Sequence, residues 1–280
     1  MSAAPARIMG VLNATPDSFS DAGEHRTLDD RLRHAEQLLA AGADLLDIGG
    51  ESNVTIRPAV TVEEELDRVA ALIERVVREL GATVSVDTFK PRVAEAAVRA
   101  GASVVNDISG LADDDLARVC ARSGAALVVM HTPVAPKQQS LDEARQLDVV
   151  GWLRDRVAHA RSLGVRDVIV DPGPDFGKTP AQTVAVLRDL PALVALGDPV
   201  LLAVSRKDFV GAIVQRRPRE RLAGTLAAIG HGVDAGAAYL RVHDVAAVAD
   251  YLAVRAVLRG ERELDPGLRV PEHLRREPVG

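Results

Sequence analysis

Short apolar runs alternate with amphipathic stretches from one end of the chain to the other. The runs at 7–13 (RIMGVLN), 45–49 (LLDIG), 83–87 (TVSVD), 103–107 (SVVND), 126–130 (ALVVM), 167–171 (DVIVD), 200–204 (VLLAV) and 239–243 (YLRVH) are apolar almost throughout. Continuous rather than alternating hydrophobicity predicts parallel strands covered on both faces. Between the runs the period changes. After Thr61, the residues Val62, Leu66, Val69, Ile73, Val76 and Leu80 recur at three- and four-residue spacings, one stripe of a helix. Thr61 with Glu64 predicts a capping box, and Glu63, Glu64 and Glu65 suit the positive end of the helix dipole. Thr27 with Asp30 repeats that start signal ahead of Leu28, Leu32, Ala35 and Leu39. Gly42, Gly81, Gly101, Gly124 and Gly164 stand where helices should stop.

Eight such units in succession predict a single-domain (β/α)8 TIM barrel over 1–258. A doubly wound sheet would carry a GxGxxG turn after its first strand, and the sequence has none there. The segment 132–146 reads as a long loop. The tail 259–280 is charged and punctuated by proline, and is expected to be loose.

Composition narrows the function. The chain has 280 residues, and barrels of this kind run to about 250 in one domain. Lys plus Arg is 34 against 40 Asp plus Glu, a net charge of −6, so a bulk grip on nucleic acid or an anionic membrane is not expected. Aromatic residues at 2% argue against base-stacking platforms. Cys120 is the single cysteine, which excludes an internal disulfide and a thiolate-rich zinc site. The start, MSAAPARIMGVLN, lacks a leader pattern, and no apolar run approaches the ~18 residues needed to span a bilayer. The expectation is a cytoplasmic enzyme acting on small molecules.

Read to their C-terminal ends, the strands finish on Asn13, Asp47, Asp87, Asn106 with Asp107, His131, Asp171, Ser205 to Lys207, and Arg241 with His243. A single aspartate at a strand end is often a cap or turn former. Eight polar exits in a row are poorly served by that reading, and in a barrel they face one mouth, where such enzymes build their sites. The set divides chemically. Asp87, Asn106 and Asp171 suit a flat heterocycle with adjacent N–H donors. Lys207, Arg241 and His243 suit a phosphate or pyrophosphate near the strand 7–8 loops. No Ser–His–Asp elbow and no HExxH motif appears.

These residues lie in ordered motifs: MGVLNATPDSFSDAG (9–23), DIGGES (47–52), SVDTFKP (85–91), VNDISG (105–110), VVMH (128–131), DPGPDFGKT (171–179), SRKDFVG (205–211) and RVHDV (241–245). Over 6–258 the chain resembles the dihydropteroate synthase family of pterin-binding barrels. The resemblance implies condensation of 6-hydroxymethyl-7,8-dihydropterin pyrophosphate with p-aminobenzoate, releasing pyrophosphate. It further implies that Asp87, Asn106, Asp171, Phe176 and Lys207 hold the pterin, and that Asn13, Arg241 and His243 hold the pyrophosphate. Asn13 is then a Mg²⁺ ligand. Asp17, Ser18, Phe19 and Asp21 belong to a closing loop, and Asp21, Lys207 and Arg241 are the catalytic candidates. Ser205 and the second loop border the acceptor pocket, and a homodimer is implied, for which Val245, Val248, Leu252 and Leu258 offer an apolar face that equally suits packing on the barrel.

The chain departs from the family pattern in three places. Asn53-Val54 stands where Thr-Arg is usual, with Arg57 as a substitute three residues on. Asp208 follows SRK, where many members have Ser. It either faces the acceptor carboxylate, repelling it by about 4 kcal/mol at ~4 Å and an effective dielectric of 20, or turns outward or caps the helix that starts there. Pro174-Asp175 replaces a small residue and Gly, and Ala203 replaces a Gly; these either repack or narrow the mouth. The alternative function is therefore a divergent paralogue that binds the pterin pyrophosphate but has little activity with p-aminobenzoate, or uses another acceptor. Sulfonamide sensitivity stays open for the same reason.

Overall fold

The computed structural model describes residues 5–14, 27–51, 60–136, 141–142 and 146–275. Eight strands form a parallel sheet: β1 (Arg7–Asn13), β2 (Leu45–Gly49), β3 (Val84–Asp87), β4 (Val104–Asp107), β5 (Ala126–Met130), β6 (Val168–Asp171), β7 (Leu201–Leu202) and β8 (Tyr239–Val242). Their order is β6-β5-β4-β3-β2-β1-β8-β7. The seam between β6 and β7 carries only the Val170–Val200 bridge, with Val170 N donating to Pro199 O at 2.9 Å. The barrel is thus nearly closed, as the eight-unit pattern predicts.

The outer layer comprises α1 (Leu28–Ala40), α2 (Val62–Leu80), α3 (Pro91–Arg99), α4 (Asp114–Ser123), α5 (Val149–Ser162), α6 (Pro180–Arg188), α7 (Leu190–Val194), α8 (Asp208–Val214), α9 (Leu222–Ala235) and α10 (Val245–Leu258). Both expected capping boxes form, Thr27 with Asp30 on α1 and Thr61 with Glu64 on α2. A third, Thr179 with Gln182, starts α6. None of the helices among the described residues is long and apolar enough to cross a membrane.

Burial on both strand faces explains the continuous apolar runs. Met9, Leu45, Val104, Val128, Ile169, Leu201 and Ala203 form a small inner cluster, whereas Ile8, Leu46, Ile48, Val105 and Val129 join the large layer between strands and helices. Successive strand residues face opposite ways, so the side chains two and four places after an inner residue also face the barrel axis. That parity carries Asn13, Asp47, Asp87, Asn106, Asp171 and Arg241 inward. Ala203, 7% exposed, is a packing member of the inner cluster. On α10, Val245 and Val248 are buried against the barrel, while Val254 and Leu258 are 60% and 82% exposed.

Candidate active site at the strand exits

The inward residues meet at one mouth. Asp87 on β3 is in register with Gly49 on β2 and with Asn106 on β4, so three neighbouring strands deliver an open position, a carboxylate and an amide side by side. Asp47, one inner position lower on β2, is 1% exposed. Its Oδ2 accepts from Asn106 Nδ2 at 3.1 Å and from Arg241 Nε at 2.6 Å. Arg241 Nη2 donates to Asp87 Oδ2 at 2.8 Å. Burial alone would lower the Arg241 pKa, but the Asp47 and Asp87 carboxylates more than offset it and hold the guanidinium above its ordinary value. The residues assigned from the sequence to a pterin half and a pyrophosphate half are therefore in direct contact, and Asp47 is the anchor that the sequence leaves without a role.

On the opposite side, Asp171 is 3% exposed and its Oδ1 accepts from Gly173 N at 2.7 Å. Burial raises its pKa, against the pull of the Gly173 amide and of Lys207, Lys178 and Arg241. Lys207 Nζ lies 4.3 Å from the centroid of the Phe176 ring, a cation–π contact. Burial lowers the Lys207 pKa while Asp175 and Asp171 push it up. Asp87, Asn106, Asp171, Phe176, Lys207 and Arg241 thus lie around one mouth.

Lys178 is a residue that sequence reasoning passes over. It is 3% exposed, and its ammonium donates to Gly173 O at 2.7 Å, His131 O at 3.1 Å and Phe176 O at 3.2 Å. It organises the loop that carries Asp171 and Phe176. Gly173 is required there, because at φ +63° an added Cβ would sit 2.1 Å from His131 O. Burial pushes the Lys178 ammonium down to about 7. Its only signal in the sequence is a lysine inside DPGPDFGKT.

Two polar strand-end residues stay out of the mouth. Asp107, of opposite parity to Asn106, accepts from Ser109 N at 2.7 Å and Leu111 N at 2.6 Å and caps its own loop. His131 is buried with its ring 5.0 Å from Trp152 in an edge-on contact, and burial pushes its imidazole down to about 3.

Ser205 and His243 are adjacent: His243 N donates to Ser205 Oγ at 3.2 Å, and His243 Nδ1 lies 3.1 Å from the same oxygen. Arg206 spans the two loops with a bidentate pair to Asp244, at 3.0 and 2.6 Å. Asp208 turns outward. Its side chain is 86% exposed and pairs with Arg221 at 2.8 Å, so it takes the second of the two orientations open from the sequence and the expected repulsion does not arise. Asn13, partly exposed, closes β1 opposite Gly49. Asp17, Ser18, Phe19 and Asp21 of the first loop, and Asn53, Val54 and Arg57 of the second, lie outside the described residues.

The root of the second loop is built from buried charge. Lys90 Nζ donates to Glu51 Oε2 at 2.7 Å, Glu65 Oε2 at 2.6 Å and Val60 O at 2.6 Å. Burial opposes the Lys90 charge, but the two glutamates outweigh it and raise the pKa.

Residues 9–243 match the family model described as pterin binding enzyme. A dihydropteroate synthase of Bacillus subtilis (strain 168) is 42% identical over 245 residues, 86% of this chain and 85% of that one. The dihydropteroate synthase of Thermus thermophilus, solved in complex with 4-aminobenzoate, superposes with TM-score 0.81 at 41% identity, covering 91% of this chain and 95% of that one. That of Xanthomonas albilineans, solved with 7,8-dihydropteroate, gives TM-score 0.81 at 41% identity, over 92% and 95% of the two chains.

Proposed function

The chain belongs to the pterin binding enzyme family, and from that premise we propose that it is a dihydropteroate synthase. It condenses 6-hydroxymethyl-7,8-dihydropterin pyrophosphate with p-aminobenzoate and releases pyrophosphate. The observation that carries the reading is the meeting of Asp87, Asn106 and Asp171 with Arg241 and Lys207 at one mouth.

Asp87 and Asp171 accept N–H bonds from the aminopyrimidine edge, each charge-assisted bond contributing about 1.5–3 kcal/mol. Asn106 matches an adjacent donor–acceptor pair, and the Phe176–Lys207 contact lies against the ring. With Asp87 engaged by the pterin, the Arg241 guanidinium turns to the pyrophosphate while Asp47 keeps its Nε. Arg241 and His243 then stabilise the charge that develops as the methylene C–O bond breaks. The bonding pair leaves with pyrophosphate, and the amine of p-aminobenzoate forms the new C–N bond and gives up one proton. Asp21 is proposed to shelter the transient cation. Ser205, with Asn53, Val54 and Arg57, borders the acceptor.

The donor set fits a magnesium ion. Among the described residues no cluster of three or more His, Cys, Asp or Glu could hold a metal, and Mg²⁺ bound with phosphate needs only one or two protein oxygens. The Asn13 amide oxygen would hold it beside the pyrophosphate, where it would neutralise leaving-group charge.

A homodimer through the exposed apolar residues of α10 and a cytoplasmic location complete the reading; sedimentation and cell fractionation check them. The function is tested by mixing purified protein with the pterin pyrophosphate, Mg²⁺ and p-aminobenzoate. Dihydropteroate and pyrophosphate in equal amounts are expected. Pterin binding without product would instead make the chain a divergent paralogue.

A further inference from the structure

Asp175 has no part in the reaction scheme, yet its amide and both carboxylate oxygens are engaged. Its backbone lies in the left-handed region at φ +64°, which glycine adopts freely and side-chain-bearing residues rarely do. Its amide donates to Thr183 Oγ1 at 3.1 Å, and Thr183 Oγ1 donates back to Asp175 Oδ1 at 3.0 Å. This reciprocal pair fixes the residue to α6. Its other oxygen reaches across to a different loop, where Oδ2 accepts from Phe209 N at 3.2 Å.

That amide is in the first turn of α8, which opens after Lys207 without a capping bond from the Lys207 side chain. First-turn amides have no partner within their helix, so Asp175 supplies from the β6 loop the cap that α8 lacks. A glycine would offer the same backbone but neither the acceptor nor the charge. Lys207 precedes this turn and packs over Phe176, the residue that follows Asp175. One side chain therefore ties together the two loops that deliver the Lys207–Phe176 pair.

We propose that Asp175 is a positioning residue for Lys207, bracing the start of α8 against the β6 loop and placing a negative charge beside the Lys207–Phe176 contact. The brace itself is independent of the ligand; its effect on pterin binding rests on the proposed function. The charged groups facing Lys207 are Asp171, Asp175 and Lys178 from β6 and its loop, Asp208 from α8, and Arg241 from β8. Lys178 and Arg241 oppose the Lys207 charge. Asp208 is exposed and paired with Arg221, which leaves part-buried Asp175 and buried Asp171 as the support.

The chain has four lysines, Lys90, Lys137, Lys178 and Lys207, so the Lys207 side chain can be followed by NMR of lysine-labelled protein, assigned with Lys207→Met. Asp175→Asn keeps the left-handed backbone, which asparagine tolerates, and removes the charge. The expected result is a Lys207 titration at lower pH than in the wild type. Calorimetry with the pterin pyrophosphate should show the alkaline loss of binding moved down by the same interval, with little change where Lys207 is protonated in both proteins. Asp175→Gly should additionally speed hydrogen exchange at the Phe209 amide by about tenfold or more. A merely structural role would weaken binding equally at every pH and leave the Lys207 titration in place. An unshifted Lys207 in Asp175→Asn overturns the inference, whether or not the wild type makes dihydropteroate. Absence of product from the wild type, with the shift intact, overturns the functional reading alone.

Discussion

At the scale of single residues, the mouth of the barrel is a charge lattice whose members are shared. Asp87 receives Arg241 and, in the proposed pterin complex, would receive pterin N–H groups. Both partners are donors, so an acceptor is needed in either state. Asp87→Asn turns one acceptor into a donor facing donors, and pterin affinity should fall at least about tenfold, equivalent to about 1.4 kcal/mol. Unchanged affinity by calorimetry would remove Asp87 from the site. The sequence discloses Asp87, Asn106, Asp171 and Arg241 because each is a polar residue interrupting an apolar run. It discloses the contacts among them less well. Asp47 and Asp107 look alike as strand-end aspartates, and only the parity of inner and outer faces separates an anchor for Arg241 from a loop cap. Lys178 is hidden for a different reason: its partners are three backbone carbonyls, and carbonyl positions leave no mark in residue types.

At the scale of elements, helix starts are the most legible feature, because a capping box is local and its two side chains announce it. Thr61 Oγ1 accepts from Glu64 N at 3.2 Å and Glu64 Oε2 accepts from Thr61 N at 3.1 Å. Thr61→Ala should therefore lower stability by about 1 kcal/mol in urea unfolding. The Lys90 brace beside it should matter more. Lys90→Met removes the ammonium shared by Glu51 and Glu65, whose side chains are 5% and 1% exposed, and a loss of about 3–5 kcal/mol is expected in the same measurement. An effect below about 1 kcal/mol would mean that water already screens the pair. Strand length is less legible. The run 200–204 is buried throughout, yet strand pairing covers only Leu201–Leu202 and the single bridge at Val200. Apolar character reports cover on both faces, not hydrogen bonding. Pro199 has no N–H to give across the seam, and the chain turns away toward the left-handed Arg206.

At the scale of the whole molecule, the same low-dielectric interior that sharpens the site makes the fold sensitive to acid through a residue that the mouth does not use. His131 is buried beside Trp152 and near the Lys178 ammonium, and burial followed by that charge pushes its imidazole from 6.5 down to about 3. A depressed folded-state value means that the unfolded chain takes up the proton first. The stabilisation is fully present above the unfolded value of 6.5 and is lost as the pH falls through the window toward the folded value of about 3. At 1.36 kcal/mol per unit, the loss between pH 6.5 and about 4.5 amounts to about 2–3 kcal/mol, before most carboxylates begin to protonate. Urea midpoints measured across this window should fall accordingly. In His131→Asn, which cannot take up the proton, the wild-type slope should flatten even if the variant is less stable at neutral pH. A slope identical in the two proteins would locate the acid sensitivity elsewhere, in the carboxylates of the mouth.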